Sequence, residues 1–159
     1  MNIIYAQEDL SSIVDKKSVF LAGPTPRSSE VEGWRQSAIN LFSLSNFDGV
    51  LLIPEEENSS SFDFEFDTQI EWENEALEKA DVILFWIDRN LSTMPGFTTN
   101  IEFGYWLGKD SSKLIIGSPA EAPKMKYILY QASENGIPHY QKLDELVFNT
   151  IKKIDLLGS

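Results

Sequence analysis

A chain of 159 residues with 42% hydrophobic and 24% charged side chains has the size and balance of one soluble globular domain with a full core. Its net charge of −12 and pI near 4.4 repel phosphate backbones and anionic surfaces, so no nucleic-acid polymer and no membrane is expected as partner. The absence of cysteine excludes disulfides and thiolate catalysis.

Ile3-Ile4-Tyr5-Ala6 opens the chain as an edge strand or a docked terminal arm. Val19-Phe20-Leu21-Ala22 is a buried strand that runs into the loop Gly23-Pro24-Thr25-Pro26-Arg27. From residue 30 the period changes: Val31, Trp34, Ala38, Leu41 and Phe42 fall at helical spacing and predict a helix over 30–44. Val50-Leu51-Leu52-Ile53 is a second buried strand, stopped by Pro54. The acidic stretch 55–67, with Phe62, Phe64 and Phe66 alternating with carboxylates, is a connection long enough for a loop, lid or contact arm.

Ile70, Leu77 and Ala80 predict a helix over 68–79, whose apolar face is interrupted by Glu73 and Asn74, expected as solvated edge positions or, in the alternative, as polar groups aimed into a cleft. A third strand over 82–87 is bracketed by Asp81 and Asp88. Pro95-Gly96 then turns the chain into a helix, for which Thr99 is the expected N-cap and Glu102 a first-turn residue. Thr99-x-x-Glu102 is therefore a capping box as well as a catalytic candidate. Gly104 and Gly108 lie on one face of that helix and suggest close approach of the sheet or a ligand. Leu114-Ile115-Ile116-Gly117 is a fourth strand, and a helix around Met125 to Ala132 closes at Asn135-Gly136. Ile137-Pro138-His139-Tyr140 is a short edge strand, and residues 143–157 form the cleanest amphipathic helix.

Short apolar strands alternating with helices predict one doubly wound (flavodoxin-like) α/β domain over 1–159, with about five parallel strands. Ligands of such sheets bind beyond the carboxyl ends of the strands. That rim collects Gly23 to Arg27, the loop after Pro54, Asp88-Arg89 and the approach to Glu102. A dinucleotide loop, a P-loop and a serine-nucleophile elbow are all absent, and a single histidine gives no metal site. Carboxylate chemistry remains: Glu102 among Ile101, Phe103, Tyr105 and Trp106 suits a nucleophile toward an anomeric carbon. No signal-peptide pattern opens the chain, so cytoplasm is the default expectation.

Three segments in order carry a resemblance. They are Phe20-Leu21-Ala22-Gly23-Pro24-Thr25-Pro26-Arg27, Trp72-Glu73 with Ala80-Asp81-Val82-Ile83-Leu84-Phe85-Trp86, and Thr98-Thr99-Asn100-Ile101-Glu102-Phe103-Gly104. Together they resemble the nucleoside 2-deoxyribosyltransferase-like proteins. The resemblance implies cofactor-free cleavage of a nucleoside N-glycosidic bond, with Glu102 as nucleophile and Asp81 as the aspartate that meets the base. It also implies homo-oligomers whose neighbours help close each site. The tyrosine that orients the nucleophile in studied members falls at Phe20, and a preceding aspartate falls at Gly96. The rim argument favours Asp88 over Asp81 for the base. Gly23, Thr25, Arg27, Thr98 and Asn100 complete the expected substrate contacts, with a nucleoside or nucleotide as the small-molecule partner. A deoxynucleoside-monophosphate N-hydrolase and a non-catalytic nucleoside binder are the alternatives.

Overall fold

The apolar runs become strands because they are buried on both faces, where β-branched and aromatic side chains pack well on a pleated surface. A computed structural model of the chain describes residues 1–55 and 66–157. Its strands are β1 (Asn2–Tyr5), β2 (Ser18–Ala22), β3 (Val50–Ile53), β4 (Val82–Trp86), β5 (Leu114–Gly117) and β6 (His139–Tyr140). The helices are α1 (Arg35–Leu44), α2 (Phe66–Lys79), α3 (Phe97–Asp110), α4 (Lys126–Glu134) and α5 (Leu143–Leu157). The strands form one six-stranded sheet in the order β1-β3-β2-β4-β5-β6, and every neighbouring pair is parallel. The count is six because the N-terminal segment joins the sheet, pairing Asn2–Tyr5 with Val50–Ile53 at one edge.

Alternation along the strands builds two cores. Val19, Leu21, Leu51, Val82 and Leu84 face α1 and α5, where they meet Trp34, Ala38, Phe42, Leu146, Val147 and Ile154. Phe20, Ala22, Leu52, Ile83 and Phe85 face the other way, against Trp72, Ala76, Phe103, Trp106, Ile128 and Ala132 of α2, α3 and α4. The chain order reverses between β2 and β4, so the loops leaving these two strands diverge and open a crevice between them. Gly23 stands at the head of that crevice. A Cβ there would lie 2.2 Å from the carbonyl oxygen of Trp86 and 2.8 Å from the Trp34 ring, so only glycine lets the ends of β2 and β4 approach.

Four expectations change. α1 begins at Arg35 rather than at residue 30, because Trp34 is buried with its indole N–H donated to the Pro24 carbonyl at 3.1 Å. α3 begins at Phe97, with Gly96 in the left-handed region (φ 65°) as its N-cap, so Thr99 is not the cap and Glu102 is not in the first turn. Among the described residues, a Cβ on Gly104 or Gly108 would meet nothing within 4 Å, so the sheet does not press on them. Glu73 is not a solvated edge residue; it is half-buried and faces the crevice. The alternating segment around Phe62 and Phe64 lies outside the described residues.

Candidate functional site

The crevice is a cleft of about 620 Å³, within the range of small-ligand sites. The loop after β2, Gly23 to Ser29, forms one wall, and Pro95 to Thr99 at the start of α3 forms the other. Pro54 and Glu55 after β3, Gln69 and Glu73 from α2, and Arg35 from α1 complete the interior around Glu102. The walls come from the connections that leave β2, β3 and β4, which is how the sheet topology delivers three loops to one place.

Glu102 stands in the second turn of α3, on the side where Thr99, Phe103 and Trp106 are buried. The helix N-terminus is already closed by Gly96, whose carbonyl accepts the Asn100 N–H at 3.3 Å. The Glu102 carboxylate therefore has no capping duty. Burial, and then repulsion from Glu73, push its acid up to about 7, while Arg35 pulls the other way. Glu73 is also raised, chiefly by burial, against the opposing effects of its hydrogen bond from Gln69 Nε2 (2.8 Å) and of Arg35. Two interacting carboxyl groups of raised pKa in one cleft titrate as a pair.

Arg35 organises the interior. Only 4% of it is exposed, and its guanidinium donates to the carbonyls of Leu21 (3.0 Å) and Gly23 (2.8 Å) and to the Thr25 hydroxyl (3.0 Å). It also pairs with Glu55. One buried cation thus fixes the β2 loop and the end of β3 while offsetting the negative field of the two glutamates. Gly96 plays the matching part on the opposite wall, where a Cβ would lie 2.8 Å from Pro24 Cγ.

Of the residues singled out in the sequence, Glu102, Gly23, Thr25, Arg27 and Thr98 line the cleft. Asp81, Asp88 and Asn100 do not belong to that lining. Asp81 sits at the amino end of the sheet, where its carboxylate accepts from the Ser18 N–H (2.7 Å) and hydroxyl (3.0 Å) and ties β4 to β2. Asp88 is half-buried past the carboxyl end of β4, its acid raised by burial and by nearby Glu121. Asn100 accepts a hydrogen bond from buried Arg89. Phe20 is fully buried in the core. Arg35, Glu55 and Glu73 were not singled out as site residues. The signal for Glu73 was there, as a charge breaking the apolar face of an otherwise regular helix.

A family model described as nucleoside 2-deoxyribosyltransferase like matches residues 16–121, the stretch that holds every wall of the cleft. The chain belongs to this family. No curated protein matches the chain. As a member of the nucleoside 2-deoxyribosyltransferase-like family, it carries a kind of site suited to nucleoside glycosyl transfer. Among the described residues no cluster of histidine and carboxylate side chains could hold a metal ion, and no helix is long and apolar enough to cross a membrane.

Proposed function

We propose that the protein cleaves the N-glycosidic bond of a (2-deoxy)nucleoside through Glu102, passing the sugar to another base or to water. The observation that carries this reading is the position of Glu102: half-buried in the cleft at the switch point, free of capping, and beside a second raised carboxyl. In its ionised form Glu102 attacks the anomeric carbon and displaces the base, forming a glycosyl ester; an incoming base or water then attacks the same carbon and releases the carboxylate. The departing base needs a proton, and a carboxyl whose pKa is raised holds one more readily than an ordinary carboxylate does. Glu73 meets that description inside the cleft. Asp81 and Asp88 lie outside its lining, which favours Glu73 over both as proton donor. Thr25 and Thr98 supply hydroxyls at the walls for the sugar. The family kinship also supports a homo-oligomeric assembly.

Chromatography of a deoxynucleoside panel, incubated with and without an acceptor base, tests the reaction. Base release should occur, and Glu102→Gln should abolish it in a protein that remains folded, because an amide cannot form the ester. Turnover retained by the folded Gln variant removes Glu102 as nucleophile. Binding of nucleosides with no release by the unmodified protein would leave a binder in place of an enzyme.

A further inference from the structure

Gln69 and Glu73 stand four residues apart in α2, so their side chains are neighbours on one face of the helix. Trp72 sets how that helix is turned: its ring is buried in the core and its indole N–H donates to the Glu8 carbonyl at 2.9 Å. Gln69 and Glu73 are both half-buried, and both line the cleft. The Gln69 amide nitrogen, Nε2, donates to the Pro54 carbonyl at 3.3 Å and to Glu73 Oε1 at 2.8 Å. A carbonyl can only accept, so Pro54 decides which end of the amide faces this junction. The flipped amide would set oxygen against oxygen there. Pro54 is held in turn, because it follows directly on the last residue of β3. Glu73 Oε1, as the acceptor of an N–H, is the carbonyl oxygen of the neutral acid, which leaves the proton on Oε2. Among the described residues Oε2 has no hydrogen-bond partner.

We propose that Gln69 is a positioning residue for Glu73, fixing its carboxyl so that the transferable proton stands on Oε2, the oxygen left open to the cleft. This rests on reading Glu73 as the donor to the departing base. When Glu102 bonds to the anomeric carbon, the bond from that carbon to the base breaks, its electron pair passes to the base, and the Oε2 proton follows. Glu73 is then a carboxylate, and the Gln69 N–H stabilises that charge. In the second half of the reaction the incoming base or water gives its proton to Glu73 as the ester to Glu102 breaks. The charged groups that bear on Glu73 are Arg35 from α1 and Glu102 from α3, and Glu55 after β3 is paired with Arg35. Among the described residues only Gln69 bonds to the Glu73 carboxyl itself.

The test uses the full chain with Gln69→Met, which keeps the length and removes the donor, and with Gln69→Asn, whose amide is too short to reach both acceptors. In either folded variant kcat for base release should fall about 10- to 100-fold with KM little changed. The Gln69 hydrogen bond lowers the pKa of Glu73, so its loss raises that pKa. The high-pH limb of the rate should therefore move to higher pH even as the plateau drops. In a Glu73→Gln background Gln69→Met should change nothing further, because Gln69 acts through Glu73. An unimpaired rate, a high-pH limb that stays in place, or a loss that multiplies with that of Glu73→Gln would each overturn the proposal. Carboxyl ¹³C NMR against pH in the Glu102→Gln protein reads the same contact without turnover, and Gln69→Met should raise the Glu73 midpoint. That midpoint raised, with no base release from any nucleoside, overturns the glycosidic reading and leaves the hold of Gln69 on Glu73 standing. An unmoved midpoint overturns the hold whether or not base is released.

Discussion

Glu102 carries a cost that its helix does not repay. Its acid is raised to about 7 from an ordinary 4.5, so the folded chain holds the proton more tightly than the unfolded chain does. Below the unfolded value both states are protonated and nothing is lost; as pH rises toward and past 7, the native state must ionise a buried group and loses stability. Glu102→Gln should therefore match the unmodified protein in thermal unfolding at acid pH and exceed it above neutrality by roughly 1–3 kcal/mol. A Gln variant no more stable at pH 8 than its parent would mean that the carboxylate is better solvated than its surroundings imply. The rate should follow the same group with the opposite sense, because the nucleophile must be ionised: kcat/KM rises with pH through about 7. Since Glu73 contributes to the raised value, Glu73→Gln should move that acid limb to lower pH while lowering the rate for bases that need protonation by about 10²–10⁴. An unmoved limb would show that the two carboxyl groups do not interact.

At the scale of elements, β2 to β5 and the closing helix α5 were legible because burial on both faces and a clean 3.6-residue period leave few alternatives. The start of α3 was not. Thr99 followed by Glu102 has the spacing of a capping box, but Gly96 can enter the left-handed region that starts the helix earlier, and Pro24 packs against it. Moving the start to Phe97 takes Glu102 out of the first turn and turns a capping candidate into a cleft residue. Arg35 was illegible for a different reason: its partners are carbonyls of Leu21 and Gly23, and backbone acceptors have no sequence signature. The tertiary fold alone brings them within reach. Gly96→Ala tests the wall directly. Alanine is strained at φ 65° and its Cβ would crowd Pro24, so stability should fall by about 1–2 kcal/mol. Base release should fall further than the stability loss accounts for, because α3 carries Glu102. A variant that unfolds earlier but turns over normally when folded would show that Glu102 does not depend on this junction.

For the whole molecule, the question is what covers α3. The closing helix α5 packs Leu146, Val147 and Ile154 into the core while leaving Phe148, Leu156 and Leu157 exposed, and the N-terminal patch joins the sheet edge. On α3, Phe97, Ile101 and Tyr105, at 67%, 72% and 59% exposure, follow one face together with Gly104 and Gly108. Two interior glycines cost about 2 kcal/mol of helix stability relative to alanine, and among the described residues nothing approaches either one. An apolar stripe with glycines suits close contact with another helix, and a second copy presenting the same face gives a self-complementary interface. The stripe begins at Phe97, which also lines the cleft, so such an interface would border the site. Light scattering at micromolar concentration should give a mass above 18.0 kDa, and Ile101→Glu should reduce it to that value. Gly104→Ala separates the explanations for the glycine. If α3 faces only solvent, alanine stabilises the monomer by about 1 kcal/mol and changes nothing else. If a second helix packs there, the added methyl weakens association even as it strengthens the helix. A monomeric parent protein, together with a Gly104→Ala variant that is simply more stable, would leave the stripe without a partner of its own kind.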